Sequence, residues 1–190
     1  MEKENELQGY VSHDETSRTI YMFGEINAAS VGYVYSSIMT HILDDIDNDI
    51  VIENRRPIRL FINSHGGELC DMWALIDVMV NSKTPIKTYC TGYAESAGFK
   101  IFLAGHKRFV SKHATLMYHQ ISSVEEGSFQ DLMEKRKEFE WQQKAIEDYI
   151  LSRTNKITKN MLVEIRKKKQ DWFIHADEAV KLGLADVMTY

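Results

Sequence analysis

A serine set between small residues at the boundary of a strand and a helix is a candidate nucleophile. The stretch Thr91-Gly92-Tyr93-Ala94-Glu95-Ser96-Ala97-Gly98 offers one. An extended apolar run, Ile86-Lys87-Thr88-Tyr89-Cys90, precedes it, and a helical pattern, Phe99-Lys100-Ile101-Phe102-Leu103-Ala104, follows. Ala94 and Gly98 flank Ser96 two positions to either side, which meets the steric demand of a sharp strand-to-helix turn that exposes its hydroxyl. The spacing is Ala-x-Ser-x-Gly and not the hydrolase Gly-x-Ser-x-Gly, and a run of small residues is also simply a turn. Nucleophilic chemistry would need three further parts: a base, a group that orients the base, and donors for an oxyanion.

His119 is a candidate base. It closes the apolar run Ala114-Thr115-Leu116-Met117-Tyr118, at the end of a strand where open α/β sheets place ligands; a single histidine there is also an ordinary structural residue. Gly66-Gly67 follows a strand and opens a helix, so its unobstructed N–H groups could hold an anion or merely tighten the turn. Asp171, ahead of Trp172-Phe173-Ile174-His175, reads by itself as a surface aspartate. Lys100 lies four residues past Ser96 on the same helical face. A Ser–Lys pair would require that lysine to be desolvated, and a side chain snorkelling to solvent is the expectation. His65 is expected to be exposed. His113 and His119 would share one face of a strand, but no third ligand accompanies them, so a zinc site is rejected and no metal is expected. Gly-x-Gly-x-x-Gly and Gly-Lys-Ser/Thr are both absent, which leaves no sequence basis for a nucleotide site. No cofactor is expected.

The elements that must position these residues read as strand–helix units. Thr19–Phe23 is a β-prone run ended by Gly24, and Asn27 caps a helix with the stripe Val31, Val34/Tyr35, Ile38, Ile42 and Ile46. A charged loop from Asp44 to Asn54 leads to a strand, Ile58–Ile62, and the loop Asn63-Ser64-His65-Gly66-Gly67. A helix on Leu69, Met72/Trp73, Ile76 and Val80 follows, then the strand 86–91 and the Ser96 turn with its helix. Such alternation implies parallel strands joined by right-handed crossovers, an α/β fold. Short strands 108–110 and 114–118 come next. A helix of 128–153 follows, about 38 Å long at the helical rise, with a stripe broken by Arg136, Gln142 and Gln143. That length exceeds what a small core needs, so part of it is expected to meet another subunit. A helix at about 158–169, a strand 171–175 and a helix closed by Gly183 complete the chain. Residues 1–17 read as a polar N-terminal arm and 18–190 as one domain.

The 190 residues, 44% hydrophobic and 27% charged, suit one well-cored domain. A net charge of −5 argues against nucleic acid or anionic membrane as partner. No run approaches the roughly 18 apolar residues of a membrane span, and the acidic start, Met1 to Glu6, is no signal peptide. Cys70 and Cys90 read as reduced, buried cysteines of a cytoplasmic protein.

Four segments together resemble the ClpP proteolytic subunits of the Clp proteases. Asn63-Ser64-His65-Gly66-Gly67 resembles the family's Asn-Ser-Pro-Gly-Gly loop, and Gly92–Gly98 its Gly-x-Ala-Ala-Ser-Met-Gly turn. Met117-Tyr118-His119-Gln120 matches its Met-x-His-Gln. Asp171-Trp172-Phe173 with Ala176–Ala179 and Gly183–Asp186 is similar to its C-terminal Asp-x-Phe…Glu-Ala…Gly-Leu-x-Asp pattern. The matches keep the family order and cover about residues 18 to 187. The resemblance implies a ClpP/crotonase-like superhelix of strand–helix units with a protruding handle helix, and a serine endopeptidase. In it Ser96 would be nucleophile, His119 base and Asp171 its orienter, with the N–H groups of Gly67 and Ala97 as oxyanion hole. It also implies two stacked seven-subunit rings enclosing the sites, unfolded polypeptide as substrate, and an AAA+ unfoldase as partner.

Several residues depart from the family pattern. His65 replaces the loop proline, Glu95 puts a carboxylate beside the nucleophile, Lys100 replaces an apolar residue, and Gln170 stands where an arginine precedes the aspartate. Arg59 and Asn81 replace aromatics of the ATPase docking pocket, which argues against docking in the usual way. These departures suggest a divergent, phage-like member. They also keep a second reading open, a weak or inactive ring subunit. A crotonase-type acyl-CoA enzyme is the third, and the ordered triad weighs against it.

Overall fold

The computed structural model describes residues 10–190. Strand β1 (Val11–Asp14) pairs antiparallel with β2 (Thr19–Ile26), so part of the segment read as an arm adds a strand to the sheet; residues 1–9 lie outside the described residues. Helix α1 (Ala28–Asp47) starts at Asn27, whose side chain accepts from Ala29 and Ser30 N–H groups while Ser30 Oγ accepts from Asn27 N–H. This reciprocal cap satisfies donors that the first helical turn leaves open. After a 3-10 turn at Ile52–Asn54 come β3 (Ile58–Gly67), α2 (Leu69–Asn81), β4 (Ile86–Glu95) and α3 (Ala97–Leu103). Then follow β5 (Lys107–Ser111), β6 (Thr115–Tyr118), α4 (Phe129–Arg153), α5 (Lys159–Lys168), β7 (Trp172–His175), α6 (Ala176–Lys181) and β8 (Val187–Thr189).

The central path of the sheet runs β1-β2-β3-β4-β5-β8, and every pair from β2 onward is parallel. Along β3, Ile58, Leu60, Ile62 and Ser64 are buried, and the residues between them are not. The buried row meets Val31, Val34 and Ile38 of α1, Met72, Leu75 and Ile76 of α2, and all of α3 in one core. The opposite row carries half-buried aromatics stacked across four strands: Tyr21–Phe61, Phe61–Tyr89 and Tyr89–Phe109, at centroid distances of 5.3, 4.5 and 4.6 Å.

Two local expectations change. Helix α1 continues through Asp44–Asp47, and its buried face turns onto His41 and Asp45 and leaves Ile46 exposed. The cause is Arg18, which is buried at the start of β2 and donates to both Asp45 carboxylate oxygens at 2.6 and 2.8 Å. Cys90 is buried, but Cys70 is exposed at the start of α2. Among the described residues, no helix is long and apolar enough to cross a membrane.

Candidate active site

The site forms where β4 changes partner. Its first half pairs with β5, and Tyr93, Ala94 and Glu95 pair with Thr115, Leu116 and Met117 of β6. Between the halves the β3–β4 register slips, from Ile62↔Cys90 to Ser64↔Ala94. Gly92, at φ +89, sits in the slip; a Cβ there would lie 2.5 Å from Asn63 Oδ1, the atom that accepts from Tyr93 N–H at 3.2 Å. The bulge thus re-aims the end of β4.

Ser96 follows directly, at φ 49 and ψ −116, a left-handed backbone that a serine adopts only where neighbours hold it. Its N–H donates to the Met117 carbonyl at 3.0 Å. Gly66, at φ +109, packs against it: a Cβ on Gly66 would fall 2.7 Å from Ser96 Cβ and 3.1 Å from Ala97 N. Gly98 is needed for the same reason, since its Cβ would meet the Ser64 carbonyl at 3.0 Å. Gly67 lies against β2, where a Cβ would come within 2.0 Å of the Ile26 carbonyl oxygen. Ser64 ties these pieces together. Fully buried, it donates to the Gly24 carbonyl at 2.5 Å and accepts from Gly66 N–H at 3.1 Å. The sequence pattern places Asn63 and Ser64 in a loop without assigning them a task; the polar pair ahead of Gly66-Gly67 is the signal that marks them as braces.

His119 leaves β6 one residue past its last pair, and its Nε2 lies 2.7 Å from Ser96 Oγ. β6 pairs antiparallel with β7, the last pair being Tyr118↔Trp172, so one further step sets Asp171 opposite His119. Asp171 is exposed, and among the described residues no side-chain hydrogen bond joins it to His119. Burial first, then the Lys100 ammonium, hold His119 below the ordinary histidine range, and the Asp171 charge pulls the other way. A neutral imidazole beside the hydroxyl is the form that can accept its proton.

Lys100 overturns the expectation of a snorkelling side chain. It is 2% exposed, and burial lowers it to about 7. The structure gives it no hydrogen bond to Ser96; the partner of Ser96 Oγ is His119. His113 lies in the turn before β6, exposed, and shares no strand face with His119, while His65 is exposed. The carbonyls at the end of α3 are held by Arg153 of α4, which donates to the Leu103 and Gly105 carbonyl oxygens at 2.8 and 2.9 Å. Beside Gly67 opens a groove of about 330 Å³, with Leu69, Cys70, Ile121, Phe139 and Gln142 among its walls. It runs between the glycine loop and the segment that follows His119.

The chain thus has a mostly parallel sheet, with a strand-to-helix turn that sets a serine against a strand-end histidine. The Clp protease family model matches residues 4–189, and the chain belongs to that family. It is 27% identical over 172 residues to the ATP-dependent Clp protease proteolytic subunit 2 of Corynebacterium jeikeium, covering 89% of this chain and 77% of that one. Its fold matches a point-substituted ClpP1 from Listeria monocytogenes with a TM-score of 0.77 at 24% identity, covering 92% of both chains.

Proposed function

We propose that this chain is a Clp-type serine endopeptidase, with Ser96 as nucleophile, His119 as general base and Asp171 as the group that orients and supports His119. Ser96 Oγ attacks the peptide carbonyl while its proton passes to His119 Nε2. The oxyanion that forms accepts from the Gly67 and Ala97 N–H groups. His119 then returns the proton to the departing amine, and water releases the acyl group by the same steps in reverse. The observation that carries this reading is the 2.7 Å contact between Ser96 Oγ and His119 Nε2, on a turn braced by Gly66. The groove beside Gly67 would receive a side chain of an extended polypeptide.

The assembly belongs to the same proposal. The first half of α4 projects beyond the core, with Phe129 80% and Trp141 62% exposed, which suits a handle between subunits of two stacked seven-membered rings. The relative from C. jeikeium is a subunit of an ATP-dependent protease, and we extend an AAA+ unfoldase partner to this chain, with Arg59 and Asn81 altering its dock. A single peptidase domain of residues 18–190 to which β1 adds a strand, and a cytoplasmic location without metal or cofactor, complete the proposal.

One observation favours the second reading, a weak or inactive ring subunit: Asp171 is exposed and does not bond His119. A fluorophosphonate probe separates the two when the sample is sized by native mass spectrometry. Labelling of an assembled ring that Ser96→Ala and His119→Ala each abolish supports the peptidase. A folded, assembled ring that takes no label refutes it.

A further inference from the structure

One charged group beside the Ser96–His119 pair has no part in that mechanism. Lys100 lies one turn past Ser96 on α3, a helix whose seven residues are all buried. Its Nζ stands 5.5 Å from the centroid of the Tyr118 ring, and Tyr118 immediately precedes His119. Both ends of this contact are fixed. Tyr149 Oη donates to the Lys100 carbonyl at 3.0 Å, and Gln143 Nε2 donates to Tyr118 Oη at 3.0 Å. The ammonium cannot reach open solvent without displacing that packing.

Among the described residues no carboxylate forms an ion pair with it. The elements around α3 bring Glu95 from β4, Tyr118 from β6 with His119 just past it, and Tyr149 and Glu147 from α4, with Asp171 ahead of β7. Glu147 is taken up by Gln143 and by Arg166 of α5, at 3.0 and 3.3 Å. From β3 and α2, His65 and Asp77 are exposed and Asp71 is half-buried. An unpaired ammonium in this low-dielectric setting acts on charge that forms near it, and His119 follows Tyr118 in the chain and bonds Ser96, one helical turn before Lys100. The lowering of Lys100 to about 7, and its place as the second cause of the depressed His119, agree with that geometry.

We propose that Lys100 is a positioning residue of the candidate site: its buried ammonium keeps His119 deprotonated, ready to accept from Ser96, and restrains the imidazolium that forms when it does. The catalytic half of this inference rests on the reading of Ser96 and His119 as nucleophile and base; the coupling between Lys100 and His119 does not. The reaction rate then climbs twice with pH, first as His119 loses its proton and again near neutrality as Lys100 loses its own.

Two measurements test it. In a Ser96→Ala background, diethyl pyrocarbonate modification of His119, followed by mass spectrometry, reports its neutral fraction without any need for catalysis. Replacing Lys100 by Met moves the acid limb of that profile up by about one pH unit; coincident limbs overturn the coupling. With Ser96 present, the fluorophosphonate rate rises in two steps in the native protein and in one step in Lys100→Met. The variant is about three- to tenfold faster near pH 6.5 and equal above pH 8, whereas a constant ratio at every pH refutes the positioning role. Shifted limbs in a protein inert to the probe would uphold the coupling and refute the peptidase reading. Lys100→Gln serves as second variant if the methionine impairs assembly.

Discussion

Gly66→Ala attacks the brace of the candidate nucleophile and leaves every chemical group in place. The new Cβ would stand 2.7 Å from Ser96 Cβ and 3.0 Å from the Glu95 carbonyl oxygen, against an ordinary carbon–carbon contact of about 3.5–4.0 Å. Backbone on both sides fixes the obstacle, so the turn must yield by about 1 Å. Alanine at φ +109 adds backbone strain of about 1–3 kcal/mol, and overpacking adds a similar amount. A displacement of that size carries Ser96 Oγ from 2.7 Å to beyond hydrogen-bond reach of His119. Misplacing a reacting group by about 1 Å costs on the order of a hundredfold in rate. The assay compares fluorophosphonate labelling rate with the denaturant midpoint, using Gly32→Ala as control because nothing lies within 4 Å of its added Cβ. Gly66→Ala should lose about a hundredfold in labelling while the protein stays folded below its midpoint. Native labelling with native stability would refute the steric argument.

Three further outcomes concern stability. Lys100 is about 7 in the fold and near 10.4 in an unfolded chain, so the unfolded state holds more protons between those values and stability rises with pH across them. Denaturant titration should find the native protein gaining about 2 kcal/mol from pH 7 to 9 relative to Lys100→Met; a gap that does not change with pH would refute the burial of its charge. Asp45→Asn leaves the buried Arg18 guanidinium uncompensated and should cost about 3–5 kcal/mol. Because hydrogen bonds from Arg18 hold Asp45 low, its contribution is present above the unfolded carboxylate pKa and fades as pH falls through the lower folded value. His41, lowered to about 4 mainly by burial, lies 2.6 Å from His13 across β1 and α1, Nε2 to Nε2. The unfolded chain therefore takes up the proton first, stability falls as pH drops from about 6.5 toward 4, and His41→Phe should flatten that fall in thermal melts.

Most of this architecture was legible because it is written in local chemistry. Asn27 marks its helix by capping, and the strand rows and the Ser96 turn follow from alternation and small flanks. What was hidden depends on partners far away in the chain. Strands β1 and β8 are short and carry polar residues, and they exist through their pairing with β2 and β5. β3 runs on through Asn63–Gly67 because β2 continues beside it as far as Ile26. The face of α1 turned onto Asp45 because Arg18, in another element, needed a counter-ion. Lys100 followed the average habit of lysine in the reading and the demands of α4 and Tyr118 in the fold. Asp171 entered through the family pattern, and neither its type nor its spacing alone set it opposite His119.

The partner exchange of β4 also sets a timetable. Gly24, Ser64, Gly66 and Ser96 come off the ribosome first, yet beyond the Ser64↔Ala94 pair with β3 the half of β4 that aims Ser96 gains its second neighbour only when Thr115–Met117 exist. β6 in turn gains its outer neighbour only with residues 172–175. A nascent chain folding as it emerges therefore carries its serine through the synthesis of residues 97–117 before β6 can flank it, and through residue 175 before β7 flanks β6. A chain arrested at residue 150 would hold Ser96 and His119 without the strand that brings Asp171 alongside. The full set of groups around Ser96 therefore comes together only once residues 171–175 have emerged.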